Sequence, residues 1–288
     1  MKWTPGTDND DVVDQRGSRG GGGGGALRLT GGGLAAAVVV VVVARLFGYD
    51  ISGLLLSGGA DPPPRQQSQA QHSRTGPDPD KELVDFVKFV MKDIQDSFSA
   101  KLEAQGHPYR RAKLVLFTDA IDTGCGRSSS AIGPFYCPAD EHAYIDLSFY
   151  RELRQRFGAP GDFAQAYVLA HEIGHHLQKV LDTERKAAAG GRRKTNDTSV
   201  RIELQADCYA GVWGHEAAGK KLLEAGDLEE ALTAATAIGD DRLQKQAGRQ
   251  VNPETFTHGS SAQRVRWFRR GFDAGRMDAC DTFSVTAL

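Results

Sequence analysis

Two histidines and a glutamate lie close together in the segment His171-Glu-Ile-Gly-His175. On an α-helix, side chains four positions apart project from one face a turn from each other, so His171 and His175 can bind a single metal ion. Zinc suits such a pair of imidazoles, and it lowers the pKa of a bound water to about 7. Glu172 lies about 100° around the helix, where its carboxylate can take the proton of that water and pass it to a leaving amine. The spacing therefore predicts a hydrolytic zinc site.

The residues around this motif predict that it lies on a buried helix over 162–181. Asp162 and Gln165 have the spacing of a capping box at the start of that helix. Apolar residues then recur along one side of it, at Phe163, Tyr167, Ala170, Gly174, Leu177 and Leu181. The alternative is two surface histidines on an ordinary helix, because a five-residue match arises by chance. His176 projects in another direction, and we interpret it as ordinary surface or core packing.

A peptidase zinc needs a third protein ligand, and Glu203 is the best candidate. Glu203 and Asp207 are four residues apart on a predicted helix over 198–217, so they share one face. That helix also carries apolar residues at core spacing, where a carboxylate is costly unless a cation or hydrogen bonds compensate it. We therefore predict that Glu203 binds the zinc and that Asp207 accepts the outer N–H of a ligating histidine. The alternative is that both carboxylates face solvent on an amphipathic helix.

His258 precedes a predicted helix over 260–274 and is a second candidate catalytic residue. If it leans into the cleft, it can stabilise the oxyanion of a tetrahedral intermediate, with help from Arg264 or Arg266. A packed or capping histidine is the alternative. Residues 133–136 precede a predicted strand and can offer backbone groups to an extended peptide, with simple loop packing as the alternative.

The other elements predict a mostly helical α+β fold with a small sheet. Apolar residues recur at helical spacing over 83–98 and predict a long amphipathic helix, and a further helix is predicted over 227–239. Short strands are predicted over 112–118 and 143–147. The polar stretch 182–198 between the two ligand helices is predicted to be a solvated loop, with a mobile flap over the cleft as the alternative.

Charge and cysteine content limit the partners and the compartment. The 288-residue chain has a net charge of -2 and lacks the basic excess of a nucleic-acid-binding protein. Its four cysteines allow two disulfides in three connectivities, and none forms a C-x-x-C pair. One hypothesis pairs Cys125 with Cys137 and Cys208 with Cys280, and buried free thiols are the alternative.

The N-terminal quarter does not have the pattern of globular sequence. Residues 1–30 are polar and glycine-rich and predict a disordered cytoplasmic tail. Residues 31–48 contain the unbroken apolar run 34–44 and predict one transmembrane helix. Residues 49–79 are rich in proline and polar residues and predict a disordered linker. The folded domain is then expected over 80–288.

A buried soluble helix and a cleavable signal peptide are the alternatives to this anchor. Glycine-rich and proline-rich flanks leave nothing nearby to bury the apolar run, and a signal peptide would need a positive region of about thirty residues. Arg16, Arg19 and Arg28 precede the run, whereas Arg45 and Arg65 follow it. This slight bias predicts a single-pass protein of the bacterial cell membrane, with the N-terminus inside. The catalytic domain would then be extracytoplasmic, where disulfides persist.

Longer motifs resemble the bacterial "putative neutral zinc metallopeptidase" family, which is similar to the Glu-zincin peptidases. The stretches that carry the resemblance are Lys2-Trp3 with the Asp-rich start, 133–140, 144–149, 171–178, 203–213, 238–246 and 257–267. The resemblance implies a zincin-like metallopeptidase core preceded by one transmembrane helix, with Zn²⁺ as the cofactor. It does not imply a particular substrate.

The leading prediction is a zinc-dependent endopeptidase that acts on protein or peptide substrates at the outer side of the membrane. Glu172 would be its general base. The alternative is a non-catalytic zinc-stabilised envelope scaffold or chaperone-like binder. Such a structural site would need no carboxylate at position 172 and would usually close with a fourth protein ligand. Zinc hydrolysis of a non-peptide envelope substrate is a further alternative, but the sequence shows no sugar-binding cluster of aromatic residues.

Overall fold

The computed structural model describes residues 1–17, 77–189 and 195–288, and these ranges form a mostly helical α+β fold. The helices are α1 (Lys81–Ala104), α2 (Ser148–Gln155), α3 (Asp162–Val180), α4 (Thr183–Ala189), α5 (Asn196–Gly219), α6 (Asp227–Ala237), α7 (Asp240–Gln246) and α8 (Ser261–Ala274). The strands are β1 (Val12–Asp14), β2 (Lys113–Phe117), β3 (Ala120–Thr123), β4 (Gly126–Ser129), β5 (Phe135–Cys137) and β6 (His142–Asp146). The predicted fold class, mostly helical with a small sheet, is confirmed.

Four of the strands form one sheet in the order β1-β2-β6-β5. Strand β2 is parallel to both β1 and β6, and β5 runs antiparallel to β6 at the edge. Strands β3 and β4 form a separate antiparallel hairpin. The sequence predicted only β2 and β6, because the other strands have three or four residues and are too short to show alternation of apolar and polar residues.

Residues 1–17 are part of this domain, so the predicted tail over 1–30 is wrong for that stretch. Trp3 packs edge-on against Phe86 of α1, with ring centroids 5.6 Å apart. The Asp11 carboxylate pairs with Arg111 and Lys113 of the domain. Asp11 therefore joins this stretch to cations on the folded part of the chain.

Residue 16 lies beside the start of α1. Arg16 contacts Asp78 at 2.6 Å and Asp80 at 3.3 Å, which joins residue 16 to the start of α1. Residues 1–17 and the described residues from 77 onward therefore form one packed unit. This packing is not compatible with the predicted orientation, in which the N-terminus and the domain are on opposite sides.

The predicted anchor, residues 31–48, and most of the predicted linker lie outside the described residues. Within the ranges 1–17, 77–189 and 195–288, no helix is both long enough and apolar enough to cross a membrane.

Helices α5 and α8 cross with their backbones in contact. A Cβ atom on Gly211 of α5 would lie 2.0 Å from the Phe268 carbonyl oxygen. One on Gly271 of α8 would lie 1.9 Å from the Cys208 carbonyl oxygen. Only glycine permits this approach, which brings the α8 side chains against the buried face of α5.

All four cysteines are paired. Cys125 is bonded to Cys137, and Cys208 is bonded to Cys280. The first bond joins the β3–β4 turn to the end of β5, and the second joins α5 to the C-terminal segment. The pairing hypothesised from the sequence is confirmed, and the free-thiol alternative is excluded.

The stretch 182–198 is not simply a loop. It contains α4 and the start of α5, while residues 190–194 lie outside the described part of the chain. Helix α4 has the sequence Thr-Glu-Arg-Lys-Ala-Ala-Ala, in which most residues are good helix formers. The helix was missed because it carries no apolar periodicity.

Candidate active site

Helices α3 and α5 bring two imidazoles and one carboxylate together. His171 Nε2 lies 3.2 Å from Glu203 Oε2, and His175 Nε2 lies 3.6 Å from Glu203 Oε1. All three ligand atoms lie within 4.8 Å of one another. Zinc bonds of about 2.0–2.1 Å in a tetrahedron place neighbouring ligand atoms about 3.3 Å apart. The donor set and its spacing therefore fit a zinc ion.

A close approach of the two helices makes this arrangement possible. A Cβ atom on Gly174 would lie 2.9 Å from the Ala206 Cα. The backbones of α3 and α5 therefore meet at Gly174, next to His175, and at Ala206, three residues after Glu203. The glycine in the motif thus lets the carboxylate of α5 reach the imidazoles of α3.

Asp207 fixes the orientation of the first histidine. Its Oδ1 lies 2.9 Å from His171 Nδ1 and accepts a 2.6 Å hydrogen bond from the Tyr167 hydroxyl. Arg264 donates to both carboxylate oxygens of Asp207 at 2.8 Å. Burial alone would raise the pKa of Asp207, but the charges of Arg264 and His171 hold that pKa below its usual value. An ionised Asp207 accepts the Nδ1 proton of His171 and leaves its Nε2 lone pair for a metal.

Gln178 does the same for the second histidine. Its Oε1 lies 2.9 Å from His175 Nδ1, and its amide nitrogen donates to the Ile202 carbonyl at 2.7 Å and to Gln205 Oε1 at 3.1 Å. These two donations fix the amide orientation, so Oε1 accepts the Nδ1 proton and His175 Nε2 is left for a metal. Sequence reasoning missed Gln178, although its position three residues after His175 on the same helix was a usable signal.

Glu172 lies in the same cavity as the three ligands and is 7% exposed. Burial raises the pKa of its carboxyl group, because an ionised carboxylate loses hydration there. A carboxylate with a raised pKa is a stronger proton acceptor than one in water.

His258 also lines this cavity. Its Nδ1 lies 3.2 Å from Asp240 Oδ1, while Asp240 Oδ2 accepts the backbone N–H groups of Thr257, His258 and Gly259. Burial lowers the pKa of His258, but the charges of Glu203 and Asp240 outweigh that effect and raise it. Sequence reasoning missed Asp240, which lies 18 residues away at the start of α7.

Arg264 and Arg266 have roles different from those considered at first, whereas His176 packs as predicted. Arg264 lines the cavity but is buried in an ion pair with Asp207, and Arg266 donates to the Leu288 carbonyl and does not line the cavity. His176 is fully buried, where its Nδ1 lies 3.0 Å from the Tyr136 hydroxyl and its Nε2 2.5 Å from the Arg110 carbonyl. His176 is thus a packed core histidine.

The ligand side chains open into a cavity of about 850 Å³. Residues 133–136, from the segment that leads into edge strand β5, form part of its wall. Their position beside the ligands is the one expected for a segment that contacts an extended peptide.

A second acidic cluster consists of Asp162, Asp227 and Glu230. The Met1 amino group lies within ion-pair distance of Asp162 and Asp227, and Glu230 accepts the backbone N–H of Phe163. These partners account for the cluster without a metal.

Two imidazoles and a carboxylate at metal-ligand spacing, with a buried glutamate in the same cavity, make this a candidate zinc site. The family described as "Putative neutral zinc metallopeptidase" matches residues 1–283, and the chain belongs to that family. It is 45% identical to the "Uncharacterized protein YpfJ" of Escherichia coli (strain K12), over 98% of this chain and 99% of that protein. It is 42% identical to the "Uncharacterized protein Rv2575" of Mycobacterium tuberculosis, over 75% of each chain. No solved structure matches the chain significantly.

Proposed function

We propose that the protein is a zinc-dependent endopeptidase. The observation that carries the proposal is the geometry of His171, His175 and Glu203, whose ligand atoms lie within 4.8 Å of one another, with Glu172 buried in the same cavity. Family membership supports the metal and the reaction class. When bound, zinc would polarise a substrate carbonyl and lower the pKa of a water molecule.

The chain's own residues divide the remaining work. Glu172 takes the proton of the attacking water and delivers it to the leaving amine. His258 lines the cavity with its Nδ1 held by Asp240, and it donates to the carbonyl oxygen as negative charge develops there. Asp207 and Gln178 hold the two ligand imidazoles in one tautomer and orientation.

A non-catalytic zinc-stabilised scaffold is the alternative function. A structural zinc site usually has four protein ligands, whereas among the described residues three surround this position. The buried Glu172 in an 850 Å³ cavity also has no purpose in a scaffold. Both observations favour catalysis.

We further propose that the domain acts outside the cytoplasm. Its support is the pair of disulfides, because such bonds persist in oxidising compartments and are rare in the cytosol. Attachment to the membrane through residues 31–48 stays a prediction from the sequence.

The test compares the full-length chain with Glu172→Gln in zinc content and in cleavage of an unfolded protein substrate. We expect Glu172→Gln to retain zinc and to lose about 10³-fold in cleavage rate, because the amide cannot accept the proton. Glu229→Gln, at an exposed position of α6, is the matched control and should keep full activity. Undiminished cleavage by Glu172→Gln would rule out the proposed mechanism.

A further inference from the structure

One wall of the active-site cavity is apolar. Ile132, Phe135, Phe149 and Val168 line the same cavity as the metal-binding side chains, and they come from three separate parts of the chain. The charged residues of the cavity that are not part of the candidate site include Lys179, which is exposed. Glu184 and Arg185 are also exposed and Asp182 is half-buried, whereas Phe149 and Val168 are 9% and 5% exposed.

Val168 lies next to the reacting groups along α3. It precedes Glu172 by four residues, so its side chain projects from the same helix face one turn away. Phe149 packs beneath the wall segment, because a Cβ atom on Gly133 would lie 3.6 Å from its ring. Val168, one helical turn from Glu172, and Phe149, beside Gly133, thus both contribute apolar surface to the cavity of the candidate site.

We infer that this surface selects peptides with a bulky apolar side chain beside the scissile bond, and that Val168 limits the size of that side chain. The inference rests on the proposed endopeptidase function. The transfer of an apolar side chain from water to this surface is favourable. A charged side chain would lose hydration against Ile132, Phe135, Phe149 and Val168, which offer no compensating charge. One additional or missing methylene in such a pocket changes the ratio of kcat/KM between two substrates by about 10- to 200-fold.

The experiment uses two readouts on one peptide set. The peptides form two series, in which either the residue before or the residue after the scissile bond is varied. The varied residue is Ala, Leu, Phe, Asp or Lys, and the rest of the peptide is unchanged. The zinc-loaded full-length chain is assayed for kcat/KM, and zinc-loaded Glu172→Gln is assayed for peptide binding by fluorescence anisotropy. We expect Leu and Phe peptides to exceed Asp and Lys peptides by about 100-fold in kcat/KM and to bind more tightly in the same order.

Two substitutions then assign the selection to Val168. Val168→Phe fills the surface and should lower the ratio of Phe to Ala peptides by about 10-fold or more, whereas Val168→Ala should raise it. Val251→Phe makes the same change at a position that is 36% exposed and outside the cavity, and should leave the ratio as in the wild type.

The outcomes separate this inference from the proposed function. Equal use or equal binding of apolar and charged peptides would overturn the selection, even if cleavage occurs. An unchanged Phe to Ala ratio in Val168→Phe would overturn the role of Val168. If no peptide is cleaved but binding keeps the expected order, the apolar selection stands and the endopeptidase function fails.

Discussion

Each candidate catalytic or metal-binding histidine lines the cavity and has its Nδ1 beside a buried partner. Asp207 holds His171, Gln178 holds His175 and Asp240 holds His258. Because the partner fixes both tautomer and ring orientation, these residues control the chemistry without touching a substrate. Asp240 also accepts hydrogen bonds from three backbone N–H groups and so holds the loop that carries His258.

Asp240→Asn should therefore reduce stability in a pH-dependent way. Burial would raise the pKa of Asp240, but the side-chain hydrogen bond and the charge of His258, with the backbone N–H groups of His258 and Thr257, hold that pKa below its usual value. An acid with a lowered pKa in the folded state stabilises the fold above its unfolded pKa of about 3.9, and this contribution is lost as pH falls through the lower folded pKa. We expect a loss of about 2 kcal/mol in the free energy of unfolding at pH 7.

The measurement is urea denaturation of wild type and Asp240→Asn at several pH values from 7 to 3. The difference between them should be largest at pH 7 and should shrink below about pH 4. Asp273→Asn, at an exposed position of α8, should show almost no difference at any pH. A deficit in Asp240→Asn that grew toward low pH would have the wrong sign for this explanation.

At the residue scale, the sequence predicts those groups whose relation is local. His171 with His175, and Glu203 with Asp207, are each four apart on one helix, so helix geometry alone predicts that each pair shares a face. The structure brings all four together. Tyr167, Arg264 and Asp240 act through contacts between elements. Arg264, for example, contacts Asp207, which lies 57 positions away in the sequence. No periodicity along the chain encodes such contacts, so the sequence could not predict them.

At the scale of elements, the site depends on how closely three helices approach. Gly174 lets α5 reach α3, and Gly211 with Gly271 lets α8 reach α5. The second crossing places Arg264 against Asp207, and it is reinforced by the Cys208–Cys280 disulfide from α5 to the segment after α8. The sequence predicted these helices within a few residues, because their apolar periodicity is strong, but glycines in helices gave no sign of a crossing point.

Gly271→Ala should disturb both the fold and the metal site. A methyl group there would lie 1.9 Å from the Cys208 carbonyl oxygen, so α8 must move away from α5. We expect a loss of about 3 kcal/mol in the free energy of unfolding, measured by urea denaturation. Because Arg264 moves with α8, zinc affinity should fall about 10-fold in a competition titration with a chelator.

The control for this substitution is Gly219→Ala at the end of α5. A Cβ atom there meets nothing within 4 Å, and alanine favours a helix over glycine by about 1 kcal/mol. Gly219→Ala should therefore be as stable as the wild type or slightly more so, with unchanged zinc affinity. Wild-type stability in Gly271→Ala would show that the two helices do not cross as described.

At the scale of the whole molecule, the N-terminal segment belongs to the sheet. Strand β1 pairs with β2 over Val12 to Asp14, and Asn9 donates to the Lys88 carbonyl of α1 at 3.1 Å. The sequence could not predict this, because a three-residue strand at the far end of a long intervening segment has no local signal. The apolar run 34–44 is evident from the sequence, whereas the pairing of β1 with β2 joins parts of the chain about 100 residues apart.

The fold therefore predicts that residues 1–17 and the domain face the same compartment in the living cell. Cysteines introduced at Asp8 and, in a separate variant, at Lys245 occupy exposed positions of the two parts. Intact cells and permeabilised cells are treated with a thiol reagent that does not cross membranes, and the four native cysteines do not react because they are paired. We expect the two variants to give the same result, because neither the Arg16–Asp78 ion pair nor the pairing of β1 with β2 can form across a bilayer.

Labelling of one variant and protection of the other in intact cells would mean that the chain crosses once and that β1 is not part of the sheet. Arg16→Ala, which removes the contacts to Asp78 and Asp80 but not the strand pairing, should leave both labelling results unchanged and thereby assign the shared location to the sheet.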